Sequence, residues 1–156
     1  MKHLKLKLLI TALVILIGFI AIRLLYVDNR ADDMGSIYLV IQDEHEVIVF
    51  EGELDFEAGD SFYDILNRSF DLTCATANYD ADPSCGYDFQ GFAYQGKVIL
   101  GIKGDDFELI TNWSDTFLSF YHYNNEEKEL ATVGPSNIPF KDGDQFLISY
   151  ELAWGS

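Results

Sequence analysis

The chain has 156 residues and a formal charge of −16, set by 26 acids against 10 lysines and arginines. So acidic a field repels phosphate, which excludes nucleic acid and anionic lipid as partners. Its many aromatic and β-branched residues exclude a disordered chain.

The first element in chain order is apolar. From Leu8 to Val27 only Thr11, Gly18, Arg23 and Tyr26 interrupt the run. A helix of about 20 residues spans a bilayer core, so the run is just long enough. Lys2, Lys5 and Lys7 precede it, and the positive-inside rule keeps that end cytoplasmic. Arg23 can snorkel to the headgroups with Tyr26 as an interfacial ring beside it. The expected organisation is a basic cytoplasmic segment (1–7), a transmembrane anchor (8–27), a short polar tether (28–36) and an extracellular domain (37–154). The alternative is a cleaved signal peptide. It needs a small-x-small site, which Ile20-Ala21-Ile22-Arg23 and Asp28-Asn29-Arg30-Ala31 fit poorly. No Cys ends the run to take a lipid. Both readings place the rest of the chain outside the cytoplasm, and the anchor reading leaves it on a cell membrane crossed once.

Every acid lies beyond Val27, against only Arg30, Arg68, Lys97, Lys103, Lys128 and Lys141. Six cations against 26 acids leave a formal −20 on this part. Such a surface can attract cations or basic partners, or simply keep the domain soluble. The length beyond the anchor and tether, about 120 residues, suits one domain.

Strand patterns come next. Ile37, Leu39 and Ile41 alternate with Tyr38 and Val40, Asp43-Glu44 breaks the run, and Glu46 to Phe50 resumes it, which predicts a hairpin. Gly59-Asp60-Ser61 then opens a short helix. Ser61 with Asp64 resembles a capping box, with Asp60 as the alternative cap. Phe62, Ile65, Leu66 and Phe70 recur at helical spacing and read as core packing.

The irregular stretch from Asp71 to Gly91 carries Cys74 and Cys85. Outside the cytoplasm two cysteines most simply form a disulfide, and closing a loop of about ten residues contributes on the order of 2–3 kcal/mol. Two buried thiols or a redox pair are the alternatives, although the spacing is not Cys-x-x-Cys. Asp80, Asp82 and Asp88 invite a calcium reading. The sixth position from Asp80 is Cys85 where an EF-hand needs Gly, and the twelfth is Gly91 where it needs Glu. Acidic turn residues bonding their own backbone explain the pattern without metal.

Phe89 to Tyr94, a Gln95-Gly96 turn and Lys97 to Lys103 read as a second hairpin, with Gly101 and Gly104 marking a bulge or strand end. Phe107 to Ile110 reads as a short strand and Asn112-Trp113-Ser114-Asp115 as a turn. Phe117 to Tyr123 alternates as a strand. Asp142-Gly143-Asp144 is a tight turn before a final strand whose Phe146, Ile148, Tyr150 and Leu152 share a face.

In that order these elements resemble the transcobalamin C-terminal-like family, a small domain of vitamin-B12 carriers and of bacterial surface proteins. The resemblance rests on the opening strand, the Gly59-Asp60-Ser61 helix start, Val98 to Leu100 running into Gly101, the Tyr121 strand into Asn124, Val133-Gly134, and Asp142-Gly143-Asp144. It covers roughly Ile37 to Leu152. Leu118 stands where the family usually has Trp, Asn125 replaces its usual Gly, and the cysteine insert is longer. The resemblance implies an α+β, β-grasp-like fold with mostly antiparallel strands and one short helix. In the B12 carriers this domain supplies half of a corrinoid site, the other half being a helical barrel that this sequence lacks.

Catalytic motifs are not in view. His45 and His122 have no motif-spaced zinc partner, and neither Gly-x-Ser-x-Gly nor Ser-x-x-Lys occurs. The expectation is therefore a non-catalytic, membrane-anchored binding or interaction module with no resident metal. The alternatives are an accessory domain handling cobalamin or a similar ligand for a transporter, and a surface assembly or stalk component. Tyr79, Tyr87, Trp113, Tyr121 and Tyr123 are the candidate contacts for a partner protein or small ligand, because planar rings offer large area at small entropic cost. The bland reading of the Tyr121 strand is that one of its faces is core.

Overall fold

The computed structural model describes residues 7, 10–18, 29–91, 94–124 and 127–153. Residues 10–18 are helical, and the remainder of the expected 8–27 anchor lies outside the described residues. Among the described residues no helix is long and apolar enough to cross a membrane.

The fold is α+β with mostly antiparallel strands. The opening hairpin forms as its alternation demands. Strand β1 (Gly35–Gln42) pairs antiparallel with β2 (Ile48–Phe56). Ile37, Leu39 and Ile41 all face inward and are fully buried. Helix α1 (Phe62–Ser69) follows. The Ser61 hydroxyl accepts from the Asp64 N–H at 3.2 Å, and the Asp64 carboxylate accepts from the Ser61 N–H at 2.8 Å. That closes a capping box and satisfies two orphan donors. Asp60, the alternative cap, accepts instead from the Glu57 N–H and from Arg68. Phe62, Ile65 and Leu66 are fully buried against the sheet. Phe70 is buried too, but it lies past the helix end as the C-cap residue and not on the helical face.

The remaining strands are β3 (Asp71–Ala75), β4 (Ala81–Asp82), β5 (Phe89–Gln90), β6 (Gln95–Gly96), β7 (Ile99–Lys103), β8 (Glu108–Ile110), β9 (Thr116–Asn124), β10 (Glu127–Leu130) and β11 (Gln145–Leu152). One sheet runs β10-β9-β11-β1-β2, a second runs β4-β3-β7-β8, and β5 with β6 forms a small ribbon. The pairing of β1 with β11 is parallel and the other pairings are antiparallel. The main core lies between the larger sheet and α1. There Phe62 meets Phe146 and Phe120 with ring centroids 4.5 and 6.3 Å apart. Full burial of one such ring contributes about 2–3 kcal/mol.

Three expectations need correction. The hairpin of Phe89–Tyr94 with Lys97–Lys103 does not form. Gln95-Gly96, expected as its turn, is strand β6 and folds back on β5, with Gly96 at φ +103°. Strand β7 instead pairs with β3 and β8, because Val98, Ile99, Leu100 and Ile102 are all buried and such a run needs partners on both sides. Its register with β3 slips between Thr73 and Cys74, which face Gly101 and Ile99, so the expected bulge falls beside Gly101. Within the expected tether (28–36), residues 29–31 dock on the domain and residues 32–34 stay exposed. Ala31 is buried, donates its N–H to the Asp60 carbonyl and accepts from the Gly59 N–H, both at 2.8 Å. On β11, Phe146 and Ile148 are buried as alternation predicts. Leu147 is buried as well because the strand is central, while Leu152 at its end is exposed.

Candidate functional site: a ring-lined loop face

Two turns set the rings at the centre of the loop region, Tyr79 and Trp113. In the first, the Thr76 hydroxyl accepts from the N–H groups of Asn78 and Asp80, and the Tyr79 N–H donates to the Thr76 carbonyl at 2.9 Å. In the second, the Asn112 side-chain oxygen accepts from the N–H groups of Ser114, Asp115 and Thr116. These local bonds compete with regular structure and fix the backbone in tight turns. Tyr79 and Trp113 hold left-handed φ values of +64° and +59° as a result. That region is costly for residues with a Cβ.

The rings so placed converge. Tyr79 stacks on Trp113 with centroids 6.2 Å apart and planes 14° apart. Phe89 lies 5.2 Å from Tyr79 and 5.0 Å from Tyr87. Tyr94 closes the group, 6.2 Å from Trp113. Tyr79 and Tyr87 are 48% and 39% exposed, so both present area to solvent. Phe89, Tyr94 and Trp113 pack on a minor core of Ala75, Val98 and Leu100 and form the rigid backing. Burial pushes the Tyr94 phenol above its ordinary range, and its hydroxyl donates to the Lys97 carbonyl at 2.8 Å.

The loop beneath is pinned at three points. Cys74 and Cys85 form a disulfide with Cα atoms 4.9 Å apart. Asp82 accepts from the Ser84 N–H and hydroxyl and from the Gly86 N–H, which holds its carboxyl below the ordinary range. Its oxygens serve the turn, the bland reading of the acidic loop. Lys97, only 12% exposed, donates to the Cys85 carbonyl at 2.6 Å and to Asp88 at 3.1 Å, and lies over the Tyr63 ring of α1. One cation thus ties the insert to the helix. Among the described residues no group of His, Cys, Asp and Glu is placed to hold a metal.

A small apolar cleft of about 160 Å³ opens beside the rings. Tyr94 and Trp113 form one wall, and Phe117 and Leu118 of β9 with Leu130 and Val133 form another. Tyr121 and Tyr123 lie farther along β9, and among the described residues no ring contact joins them to the loop group. The Tyr121 hydroxyl donates to Glu151 at 2.6 Å, and the Lys128 ammonium sits 3.7 Å above its ring. Tyr123 is 37% exposed and pairs across the strands with Lys128 and Gln145. The face therefore gathers Tyr79, Tyr87 and Trp113 of the five candidates and adds Phe89 and Tyr94. Phe89 and Tyr94 looked like ordinary strand aromatics, and only the misassigned hairpin hid their convergence.

No protein-family model matches this chain. A search of curated proteins returns no match either.

Proposed function

We propose that this protein is a non-catalytic binding module, held outside the cytoplasm by residues 8–27, that meets its partner through the ring-lined loop face. The carrying observation is the stacked pair Tyr79 and Trp113, both in left-handed backbone, with the Tyr79 loop braced by a disulfide and by Lys97. Strain of this kind persists only where the surroundings over-determine it, and it concentrates at ligand contacts. Rigid rings already in place lose little entropy on binding, which favours recognition of a partner's protruding side chain.

The finer fold reading belongs to the same proposal. A hairpin, one helix, and a last strand running parallel to the first at the sheet centre support a β-grasp-like domain. Resemblance to the transcobalamin C-terminal-like family fits that layout. A corrinoid gains less support from the geometry. The cleft of about 160 Å³ admits one ring or side chain, whereas drug-sized ligands fill about 300–1,000 Å³.

Photo-crosslinking on intact cells tests the reading. A photoreactive phenylalanine analogue at Tyr79 or Tyr87 should yield a discrete adduct, and one at exposed Ile110 should not. Equal adducts at all three positions, or none, would count against it. Titrating Trp113 fluorescence with cobinamide in a Trp154→Phe background decides the corrinoid alternative, for which an unchanged signal is expected.

A further inference from the structure

Strand β2 is nine residues long and forms one edge of the five-stranded sheet, with β1 as its neighbour. Long open edges are ordinarily blunted by lysine, proline or a covering element, because their unpaired N–H and C=O groups template further pairing. Strand β2 contains no Lys and no Pro. A register slip opposite Ile41 and Gln42 marks its start, and Arg68 donates to the Asp55 carbonyl at its far end. Between them lies Phe50 to Leu54.

The two sides of that stretch differ in chemistry. Glu51 and Glu53 stand exposed on the outer face, continued by Asp55. Phe50, Gly52 and Leu54 face the helix side. Beside Phe50 an open cleft of about 480 Å³ runs between the start of β2 (Val49 and Phe50), the end of α1 and the Lys103–Phe107 turn. Its floor is aromatic: Phe50 meets Phe70 at 4.9 Å and Phe70 meets Phe107 at 5.9 Å. Asp71, Asp105 and Asp106 stand among its walls beside Arg68 and Lys103. A Cβ on Gly52 would meet only the Phe50 ring, at 3.4 Å and beyond, so this side of the strand is open at that point.

We propose that β2 accepts an extended basic peptide as an added strand. Main-chain bonds to the free edge supply the pairing, and alternate side chains supply the choice of partner. Every second residue lies on the side of Phe50, Gly52 and Leu54, with the one beside Phe50 entering the aromatic cleft, and is apolar. The residues between lie against Glu51 and Glu53 and are lysine or arginine, so the preference for a basic peptide rests on those two residues of the strand itself. Acidity also decides against a second copy of this chain. Two β2 strands side by side would set carboxylates against carboxylates, and like charges opposite one another destabilise a sheet. The site shares no residue with the ring-lined loop face and does not depend on it.

The experiment uses the full chain in detergent micelles and a capped peptide of about eight residues alternating lysine and valine. Three controls accompany it: the same composition with lysines and valines in blocks, an alternating glutamate–valine peptide, and the lysine–valine peptide with N-methylated amides. Calorimetry should detect binding by the alternating lysine peptide alone. Hydrogen exchange should slow at the amides of residues 50–54 on its addition. Glu51→Lys with Glu53→Lys should weaken it at least about tenfold and transfer preference to the glutamate peptide. Binding by the blocked or N-methylated peptide at equal strength would overturn the proposal. So would no heat with any peptide, protection confined to other strands, or dimers sealed through β2 in sedimentation.

Discussion

Tyr79 and Trp113 stack nearly parallel, 6.2 Å apart, although they belong to turns 34 residues apart in sequence and each holds a left-handed backbone. Neither ring is steered by a strand or helix. Thr76 aims one and Asn112 aims the other, each through one polar side chain bonded to its own turn. Those two side chains set the aim of the rings, while the minor core and the disulfide hold the loop behind them.

Asn112→Ala should loosen the second turn. It deletes the acceptor for three backbone N–H groups, which water can partly replace because the residue is exposed. A loss of about 1 kcal/mol is expected, or roughly 3 °C in melting temperature. Trp113 emission should shift to the red as its ring leaves Tyr79. Calorimetry and fluorescence on the variant check both; a red shift missing from an otherwise destabilised protein would mean that Asn112 does not aim the ring.

Reduction of Cys74–Cys85 should cost about 3 kcal/mol in the chain-entropy model, given its sequence separation of 11. Under denaturing, non-reducing conditions neither cysteine should take a thiol label. Lys97→Met should add to the loss, since it leaves Asp88 and the Cys85 carbonyl without their shared donor. Complete labelling of both cysteines in protein from the outer surface would reject the bond.

What the sequence made legible follows from where one signal dominates. Ile37, Leu39 and Ile41 alternate over a buried face, and Ser61 with Asp64 has the capping spacing, so the first hairpin and the helix were readable. Gly143 sits at φ +80° in the turn that Asp142-Gly143-Asp144 announced. Pairing between distant strands was not readable. Val98 to Ile102 is a continuous apolar run, and such a run does not name its neighbour. It took the distant β3 on one side and the following β8 on the other, over the preceding Phe89–Tyr94. The ring face was half legible for the same reason: Tyr79, Tyr87 and Trp113 were visible as loop aromatics, but their meeting depends on that long-range pairing.

Gly134 illustrates a position that sequence marks without explaining. A Cβ there would stand 2.5 Å from the Lys97 carbonyl oxygen, 2.8 Å from the Tyr94 hydroxyl and 3.0 Å from the Gln95 carbonyl oxygen. Two of those atoms are backbone and cannot swing away. Gly134→Ala should cost about 1–3 kcal/mol through overpacking. It should also displace Tyr94 and so broaden the ring signals of Trp113 in NMR spectra. A variant with unchanged melting temperature would show that the Lys97 segment gives way freely.

Tyr121 should shape the alkaline limb of stability. Burial, and then the hydrogen bond and charge of Glu151, push its phenol up to about 12. A raised value means that the fold favours the neutral form. Its contribution is complete below the unfolded value of about 10 and is lost as pH climbs to about 12. Tyr121→Phe should therefore lower stability at neutral pH through loss of the Glu151 bond, and the gap from the parent should narrow above pH 10. Urea midpoints for both proteins across that range test it; a constant gap would contradict the assignment.

Asp60 and Arg68 should shape the acid limb. Burial pushes the Asp60 carboxyl up, but hydrogen bonds from Arg68 at 2.6 Å and from the Glu57 N–H, with the charges of Arg68 and Arg30, outweigh it and hold the carboxyl below its ordinary value. A depressed folded value stabilises the protein above the unfolded value of about 3.9, and the contribution disappears as pH falls through the lower folded value. Arg68→Met removes the main partner. The variant should be less stable than the parent at pH 7, and the difference should shrink steadily from about pH 4 downward. Arg68 also donates to the Asp55 carbonyl, so a part of the loss unrelated to Asp60 should persist at every pH. Comparing Arg68→Met with Asp60→Asn separates the two: the asparagine variant should remove the pH-dependent part alone. If both variants keep a fixed distance from the parent between pH 7 and pH 2, the ion pair does not govern acid stability.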